Sequence, residues 1–317
     1  MMEELSCRIV YCILKHITIS LSNYFQLKNT QGLSLKASNF LYLKPSSLDE
    51  ALSFLVSNEE PRIIAGGQSL VAAMNMKLAQ PETIIDITEL HELKKFEIDK
   101  KSVNIGALVT HSEIEFYKSS SKLVYFLSSV AKNIAHIPIR FKGTFCGAVA
   151  NSDPASEWCS CLLALDGLAE VIGQNREKRF IESDNFFLAP YLSDIQYDEI
   201  LTSIKFPEID EHTKLGFNEY SRRAGDYAIA MCVSKINLME DKVVDGNIVI
   251  GAASEVPTKI TDALLFLKGK ELNENTCLKA ANIAADSIKI LDDIESSEEY
   301  KRDIVKAVTF RSLMACK

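Results

Sequence analysis

The chain has 317 residues, which is enough for about two domains of ordinary size. Its composition, 47% hydrophobic and 25% charged, is typical of a globular protein with a buried core and excludes a disordered tail, a collagen-like fibre and a disulfide mini-protein. The formal net charge of −8, with no basic run, argues against nucleic acid and anionic membrane surfaces as partners.

Residues 1–34 mix short apolar runs with Ser, Asn and Gln and show no clear periodicity. Their most apolar part, residues 9–21, is interrupted by Lys15 and His16 and is shorter than the roughly 18 residues of a transmembrane helix. Glu3 and Glu4 stand where a secretion signal carries positive charge. We therefore predict neither a membrane span nor export, and expect a cytoplasmic protein.

Strands and helices alternate along the chain from residue 39 onward. Ser47 and Glu50 form a capping-box pattern at the start of the first helix. This alternation is typical of an α/β unit, and a second such stretch follows it. The predicted strands are residues 40–43, 62–65, 83–87 and 103–108, and the predicted helices are residues 48–55, 69–78, 112–117 and 122–134.

Later segments change in character. Gly143 and Gly147 bracket a predicted irregular turn, and Asp153–Pro154 predicts a helix that starts with Asp153 as its N-cap and runs to residues 165–167. After residue 210, Asp245–Gly246 is the predicted hairpin turn between the second and third of three longer strands. Those strands are residues 217–220, 228–239 and 247–253, and the helices after them are residues 261–268, 277–290 and 298–315.

Two glycine-containing segments are candidates for binding a phosphorylated ligand. The first glycine motif, residues 65–69, is Ala65-Gly66-Gly67-Gln68-Ser69 between a strand and a helix. Glycines there let a ligand approach the backbone, and the free amides suit phosphate. An ordinary strand-to-helix turn is the alternative.

The second glycine motif, residues 143–148, lies about eighty residues further on and is followed by Glu157. Two separated phosphate-type segments suit an extended dinucleotide, and Glu157 near a helix start could accept hydrogen bonds from ribose hydroxyls. The alternative for Glu157 is a charge favoured by the helix dipole.

The cysteines and histidines indicate less about the function of the chain. The eight cysteines are irregularly spaced and match neither a disulfide framework nor a zinc or iron–sulfur ligand set, so we predict no metal site. We interpret His111 and His136 as hydrogen-bonded structural histidines, with approach to a cofactor as the alternative.

Five ordered segments make the chain recognisable over about residues 36–316. It resembles the FAD-binding medium subunit of the molybdenum hydroxylases, the xanthine dehydrogenase and carbon monoxide dehydrogenase family. The similar segments are FLYLKPSSLDEALSFL, IIAGGQSLVAAMNMKLAQPETIIDI, IRFKGTFCGAVANSDPASEW, FFLAPYLSDIQYDEIL and EYSRRAGDYAIA.

The resemblance implies an α+β fold. Two α/β FAD-binding subdomains of the PCMH type would occupy residues 35–210, and a C-terminal domain with a three-stranded antiparallel sheet and helices would occupy residues 211–317. FAD is the implied cofactor: Ala65 to Ser69 would wrap its pyrophosphate, Glu157 would hold its sugar part, and Ile195 would contact the flavin through its backbone. The residues implied in the second glycine motif are Thr144, Phe145, Cys146, Gly147 and Ala148.

Cys146 departs from the family pattern, which usually has two adjacent glycines at this point. If the position needs a positive φ, cysteine costs roughly 1 kcal/mol or more. Binding would then be weakened, or else the turn tolerates a small side chain. Asn218 stands where some relatives carry a lysine near the flavin, and we assign it no role.

The implied function is electron transfer without a catalytic acid–base pair in this chain. A molybdopterin-binding large subunit would hydroxylate the substrate, and a small subunit with two [2Fe–2S] clusters would pass electrons to FAD here and on to quinone, NAD or oxygen. The implied assembly is a dimer of heterotrimers. A stand-alone flavin oxidoreductase and a degenerate, cofactor-free assembly subunit remain as alternatives.

The N-terminal extension, residues 1–34, precedes the usual start of the family pattern at Leu35. We hypothesise that translation begins near Leu35 from a non-AUG codon and that the extension is an artefact of the assigned start. N-terminal sequencing of the native protein checks this, and a peptide from residues 5–30 would refute it.

Overall fold

The structure, a computed structural model, describes residues 36–291 and 296–317. The N-terminal extension, including the apolar residues 9–21, lies outside the described residues. Within the described ranges, no helix has the length and apolar character needed to span a membrane.

The first three strands form a small parallel sheet in the order β1–β3–β2. Ser47 caps the first helix by accepting a hydrogen bond from the Glu50 amide at 3.2 Å, whereas the Glu50 carboxylate accepts from the Ser46 amide, one residue earlier than a capping box requires. The elements are β1 (Leu41–Leu43), α1 (Leu48–Ser57), β2 (Pro61–Ile64), α2 (Leu70–Asn75) and β3 (Thr83–Asp86).

A five-stranded antiparallel sheet follows, in the order β4–β5–β10–β6–β7. Only β5 of these strands was predicted. The strands are β4 (Phe96–Ile98), β5 (Ser102–Gly106), β6 (Leu168–Ile172), β7 (Lys178–Glu182) and β10 (Ile200–Pro207), and a separate hairpin joins β8 (Phe187–Ala189) to β9 (Leu192–Ser193). The helices are α3 (His111–Glu115), α4 (Lys122–Ala131), α5 (Ile137–Arg140), α6 (Phe145–Asn151), α7 (Glu157–Ala164) and α8 (Ser183–Phe186). The large fully buried side chains include Trp158, Phe145, Phe186 and Phe206.

The sequence predicted an irregular turn between Gly143 and Gly147. This prediction is wrong for the second half of the segment, which forms the first turn of α6. Thr144 is the N-cap and its hydroxyl accepts from the Gly147 amide at 3.1 Å. A Cβ on Gly147 would lie only 2.5 Å from that hydroxyl oxygen, so glycine here makes room for the cap. Cys146 therefore has helical backbone rather than the positive φ that would have strained it.

The predicted start of the next helix at Asp153 is also wrong. Asp153 accepts a hydrogen bond from the Ala155 amide at 2.9 Å and forms a turn, and α7 begins at Glu157 with Ser156 as its N-cap. Pro154 thus stands in this turn and not at the first helical position. Ser152 ends α6 with a left-handed φ of 50°.

The C-terminal sheet is antiparallel, and three helices pack against it around a second hydrophobic core. The three predicted long strands are present, joined by a two-residue fourth strand. The elements are β11 (Thr213–Tyr220), β12 (Ala230–Met239), β13 (Lys242–Gly251), β14 (Thr258–Lys259), α9 (Thr261–Leu267), α10 (Glu274–Ser287) and α11 (Glu298–Ala315).

The predicted hairpin turn at Asp245–Gly246 is wrong, because the chain turns at Glu240–Asp241. Both turn residues have positive φ, 48° and 61°, as a tight hairpin turn between twisted strands requires. Gly246 instead lies within β13, where a Cβ would overlap the Lys235 carbonyl oxygen.

Polar contacts at Asp166 join the two parts of the molecule. Asp166 follows α7 with a left-handed φ of 53°. Its carboxylate accepts from Lys235 at 2.8 Å on β12, from Asn247 at 2.9 Å on β13, and from Lys259 at 3.2 Å on β14. Burial alone would raise the pKa of Asp166, but the hydrogen bonds and charges of the two lysines outweigh it and hold the pKa below its usual range.

We expect the substitution Cys146→Gly to destabilise the protein although it restores the glycine pair of the family. The Cys146 side chain is buried in α6, and its thiol donates to the Ile105 carbonyl at 3.4 Å. Loss of this side chain and the poor helix propensity of glycine together lower the free energy of unfolding by about 2 kcal/mol.

Urea denaturation of the full chain measures this, with Cys146→Ala as the matched control. Alanine also removes the thiol but keeps helix propensity, so it should recover about 1 kcal/mol relative to glycine. A Cys146→Gly protein as stable as the wild type would show that cysteine strains this position.

Candidate functional site

The first glycine motif forms the turn between β2 and α2. Gly67 has a left-handed φ of 71°, which favours glycine. A Cβ on Gly66 would overlap the Lys142 carbonyl oxygen and lie 2.7 Å from the Gly143 Cα. The Ser69 hydroxyl makes no capping bond to α2. The backbone of this motif thus rests directly on the backbone of a second segment, which we call the 142–143 turn.

The second glycine motif begins within that turn. The Gly143 carbonyl accepts from the His111 amide at 3.0 Å, and the Phe145 amide donates to the Val109 carbonyl at 2.9 Å, so the segment is held against the end of β5 and the start of α3. The side chains of Phe145 and Cys146 are buried, whereas Gly147 is exposed. Contacts from Phe145 and Cys146 to a ligand would therefore have to use main-chain atoms.

Ile195 lies in the segment after the β8–β9 hairpin, which packs against α6. The Ile195 side chain is half-buried and contacts the first hydrophobic core. Arg179 fixes this segment: its guanidinium donates to the Asp194 carbonyl at 2.6 Å, to the Asp194 carboxylate at 2.6 Å and to the Glu199 carboxylate at 2.6 Å. The sequence offered no signal for Arg179, because its partners stand 15 and 20 residues away.

Glu157 is the first residue of α7 and is buried. Burial, reinforced by the charge of nearby Glu219, raises the pKa of Glu157 to about 8, and burial raises the pKa of Glu219 to about 7. Glu157 is connected to the glycine motifs through its neighbour Trp158, which contacts Phe145 with ring centroids 4.7 Å apart. Its carboxyl group is close enough to Glu219 on β11 for the charge of that residue to affect its pKa.

Two exposed tyrosines and one carboxylate were missed by sequence reasoning. Asp153 is hydrogen-bonded by the Tyr191 hydroxyl at 3.3 Å and by the Tyr227 hydroxyl. Tyr191 has a left-handed φ of 59°, and its amide donates to the Ser152 carbonyl at 2.9 Å. Asp153 had been interpreted as a helix cap, and nothing local to Tyr191 indicates its backbone conformation.

The prediction of structural histidines fits His111 and not His136, which is exposed and makes no capping hydrogen bond to α5. His111 is a buried, hydrogen-bonded histidine, as predicted, with the Trp158 indole N–H donating to its Nδ1 at 2.9 Å. Among the described residues, no group of three or more His, Cys, Asp or Glu side chains is arranged to hold a metal ion. The six cysteines of this part of the chain are buried and free, and burial raises the pKa of the Cys159 thiol.

Comparison with known proteins identifies the family. Residues 36–209 match the FAD binding domain in molybdopterin dehydrogenase, and residues 216–316 match the CO dehydrogenase flavoprotein C-terminal domain. The chain is 34% identical to the nicotine 6-hydroxylase medium subunit of Paenarthrobacter nicotinovorans, over 86% of this chain and 95% of that protein. It is 30% identical to the glyceraldehyde dehydrogenase medium chain of Sulfolobus acidocaldarius, over 86% and 96% of the two chains.

The fold agrees with a solved structure of the same kind. The crystal structure of quinoline 2-oxidoreductase from Pseudomonas putida 86 superposes with a TM-score of 0.83 and 29% sequence identity, covering 89% of this chain and 98% of that chain. These findings confirm the resemblance on which the sequence interpretation depends. The chain belongs to the family of FAD-binding medium subunits of the molybdenum hydroxylases, with the mixed α and β fold and the FAD cofactor of that family.

Proposed function

We propose that this chain is the electron-transfer subunit of a molybdenum hydroxylase. It accepts electrons on FAD from [2Fe–2S] clusters of a separate small subunit and passes them to quinone, NAD or oxygen. A separate molybdopterin-binding large subunit hydroxylates the substrate. The observation that carries the proposal is the backbone contact of Gly66 with the 142–143 turn, because it brings the two glycine motifs side by side and a Cβ at this position would push them apart.

The residues present are compatible with FAD. Ala65, Gly66, Gly67, Gln68 and Ser69 hold the pyrophosphate. Gly66 lets the motif approach the 142–143 turn, Gly67 provides the left-handed turn into α2, and the Ser69 hydroxyl is free of any capping bond to α2 and can donate. In the second glycine motif Gly147 is exposed, and its amide donates to the hydroxyl of Thr144, the N-cap of α6.

The remaining binding residues orient the other parts of the cofactor. Glu157 hydrogen-bonds the sugar part of FAD, and its buried carboxyl can donate as well as accept because its pKa of about 8 keeps it protonated at neutral pH. Ile195 contacts the flavin through its backbone, in a segment that Arg179 holds in place. The bound flavin supplies the redox chemistry, while the chain binds it, orients it and limits the access of water.

The proposal extends to organisation and partners. Residues 35–210 form the FAD-binding domain and residues 211–317 the C-terminal domain, and the complete enzyme is a dimer of heterotrimers in the cytoplasm. The existence of partner subunits is supported by the names of two relatives, which are a medium subunit and a medium chain. The helical backbone at Cys146 removes the strain that had favoured a degenerate, cofactor-free assembly subunit.

We expect Gly66→Ala to reduce the FAD content of the purified full chain at least about tenfold. The added Cβ overlaps the Lys142 carbonyl oxygen and pushes the first glycine motif off the 142–143 turn, at a cost of about 1–3 kcal/mol in stability. Gly173→Ala is the matched control, because a Cβ there meets its nearest neighbour at 3.7 Å and the residue has ordinary extended backbone. Wild-type FAD content in Gly66→Ala would exclude this turn from the FAD site.

The absorbance spectrum of the complex that co-purifies with this chain, affinity-tagged in its native cell, tests the function. A flavin band together with iron–sulfur absorbance, with one flavin for each pair of clusters, is the expected result. Iron–sulfur absorbance without flavin would overturn FAD binding and favour the assembly subunit. Flavin without iron or molybdenum, with substrate turnover by the isolated chain, would favour a stand-alone flavin oxidoreductase.

A further inference from the structure

Three contacts form a stack behind the first glycine motif. Gly66 rests on the 142–143 turn, with no room for a Cβ between them. Gly143 rests in turn on the His111 imidazole, because a Cβ on Gly143 would lie 2.6 Å from His111 Nε2. The imidazole is held at its other nitrogen by Trp158, 47 residues further along the chain. The position of the imidazole therefore determines how closely the 142–143 turn can approach the core.

The hydrogen bond to Trp158 determines the state of the imidazole. An indole N–H only donates, so His111 Nδ1 must accept and cannot carry a proton. Burial, with a smaller effect of the Arg140 charge, lowers the pKa of His111 to about 4, so the ring is neutral at pH 7. Its single N–H then lies on Nε2, the nitrogen that faces Gly143.

A second support for the same turn is Arg140, at the C-terminal end of α5. Arg140 is buried, and its guanidinium donates to the Glu115 carboxylate at 2.8 Å and to the Ala135 carbonyl at 2.9 Å. The Gly143 amide donates to the Ile139 carbonyl at 2.7 Å, so α5 continues directly into the turn. Arg140 thus fixes α5, and His111 fixes the distance of the turn from the core.

We propose that His111 is a positioning residue for FAD: its neutral imidazole, oriented by the Trp158 N–H, sets the position of the 142–143 turn and thereby of the first glycine motif. The inference rests on the proposed FAD site. Because Trp158 follows Glu157 directly in α7, the same hydrogen bond sets the spacing between the pyrophosphate end and the sugar end of that site. His111 touches neither the cofactor nor the reacting atoms in this role.

Substitutions that separate the hydrogen bond from the volume of the ring test the proposal. Trp158→Phe keeps an aromatic ring beside Phe145 but removes the donor, and His111→Leu removes the acceptor at similar volume. His111→Asn keeps an acceptor near the place of Nδ1. We expect FAD to dissociate at least about tenfold faster from the first two full-chain proteins, and His111→Asn to stay within about threefold of the wild type.

A stability-matched control separates positioning from general weakening of the fold. Ile248→Val shortens a buried side chain in the second hydrophobic core, away from the stack. FAD dissociation and the visible circular dichroism of the bound flavin are compared at equal distance below each protein's thermal midpoint. The proposal predicts a changed flavin dichroism in Trp158→Phe and an unchanged one in Ile248→Val.

The rates of FAD release distinguish the positioning role of His111 from FAD binding itself. Trp158→Phe and His111→Leu proteins that release FAD at the wild-type rate, or no faster than Ile248→Val, would overturn the positioning role and leave FAD binding intact. A wild-type chain that binds no FAD would instead overturn the proposed function on which the inference rests. Faster release in both variants with recovery in His111→Asn would support the inference.

Discussion

The close approach of Gly66 to the 142–143 turn is the constraint on which the rest of the site depends. Two backbone segments from distant parts of the chain meet there without a side chain between them. A contact of this kind leaves no room for an additional atom. The residues that pack against each segment must therefore fix its position accurately. The β2 strand positions one of them, while α5, the end of β5 and the His111 imidazole position the other. Thr144, the N-cap of α6, is the residue directly after this contact.

The C-terminal sheet influences Glu157 through the charge of a neighbouring carboxyl group. Glu157 on α7 lies near Glu219 on β11, and burial raises the pKa of Glu157 to about 8 and that of Glu219 to about 7, so the neutral form of Glu157 is favoured at pH 7. Two ionised carboxylates at this boundary would repel each other. The two parts of the chain therefore meet at a buried pair of carboxyl groups at which a second negative charge is unfavourable.

Elements with local signals could be predicted from the sequence, and those that depend on distant partners could not. Caps and periodicity predicted the helix that Ser47 caps, strands β1 and β2, and the three long C-terminal strands. Strand β10 has both of its partners, β5 and β6, far away along the chain, and the sequence interpretation omitted it together with the β6–β7 hairpin. The sequence pattern predicted a turn at Gly147. In the structure Gly147 lies in a helix, where the absence of a Cβ leaves room for the Thr144 cap. The glycine motifs were found from local pattern, while His111–Trp158 and Asp153–Tyr191 exist only in three dimensions.

Asp166 has a consequence for how this family can vary in sequence. Its left-handed backbone favours Gly, Asn or Asp, and its contacts with Lys235 and Lys259 call for a negative charge. Aspartate alone meets both demands, since asparagine leaves the lysines without that carboxylate and glutamate strains the turn. A homologue in which position 166 is asparagine should therefore have replaced at least one of the two lysines. We therefore expect the three positions to covary among relatives in which the two parts of the chain are joined as they are here.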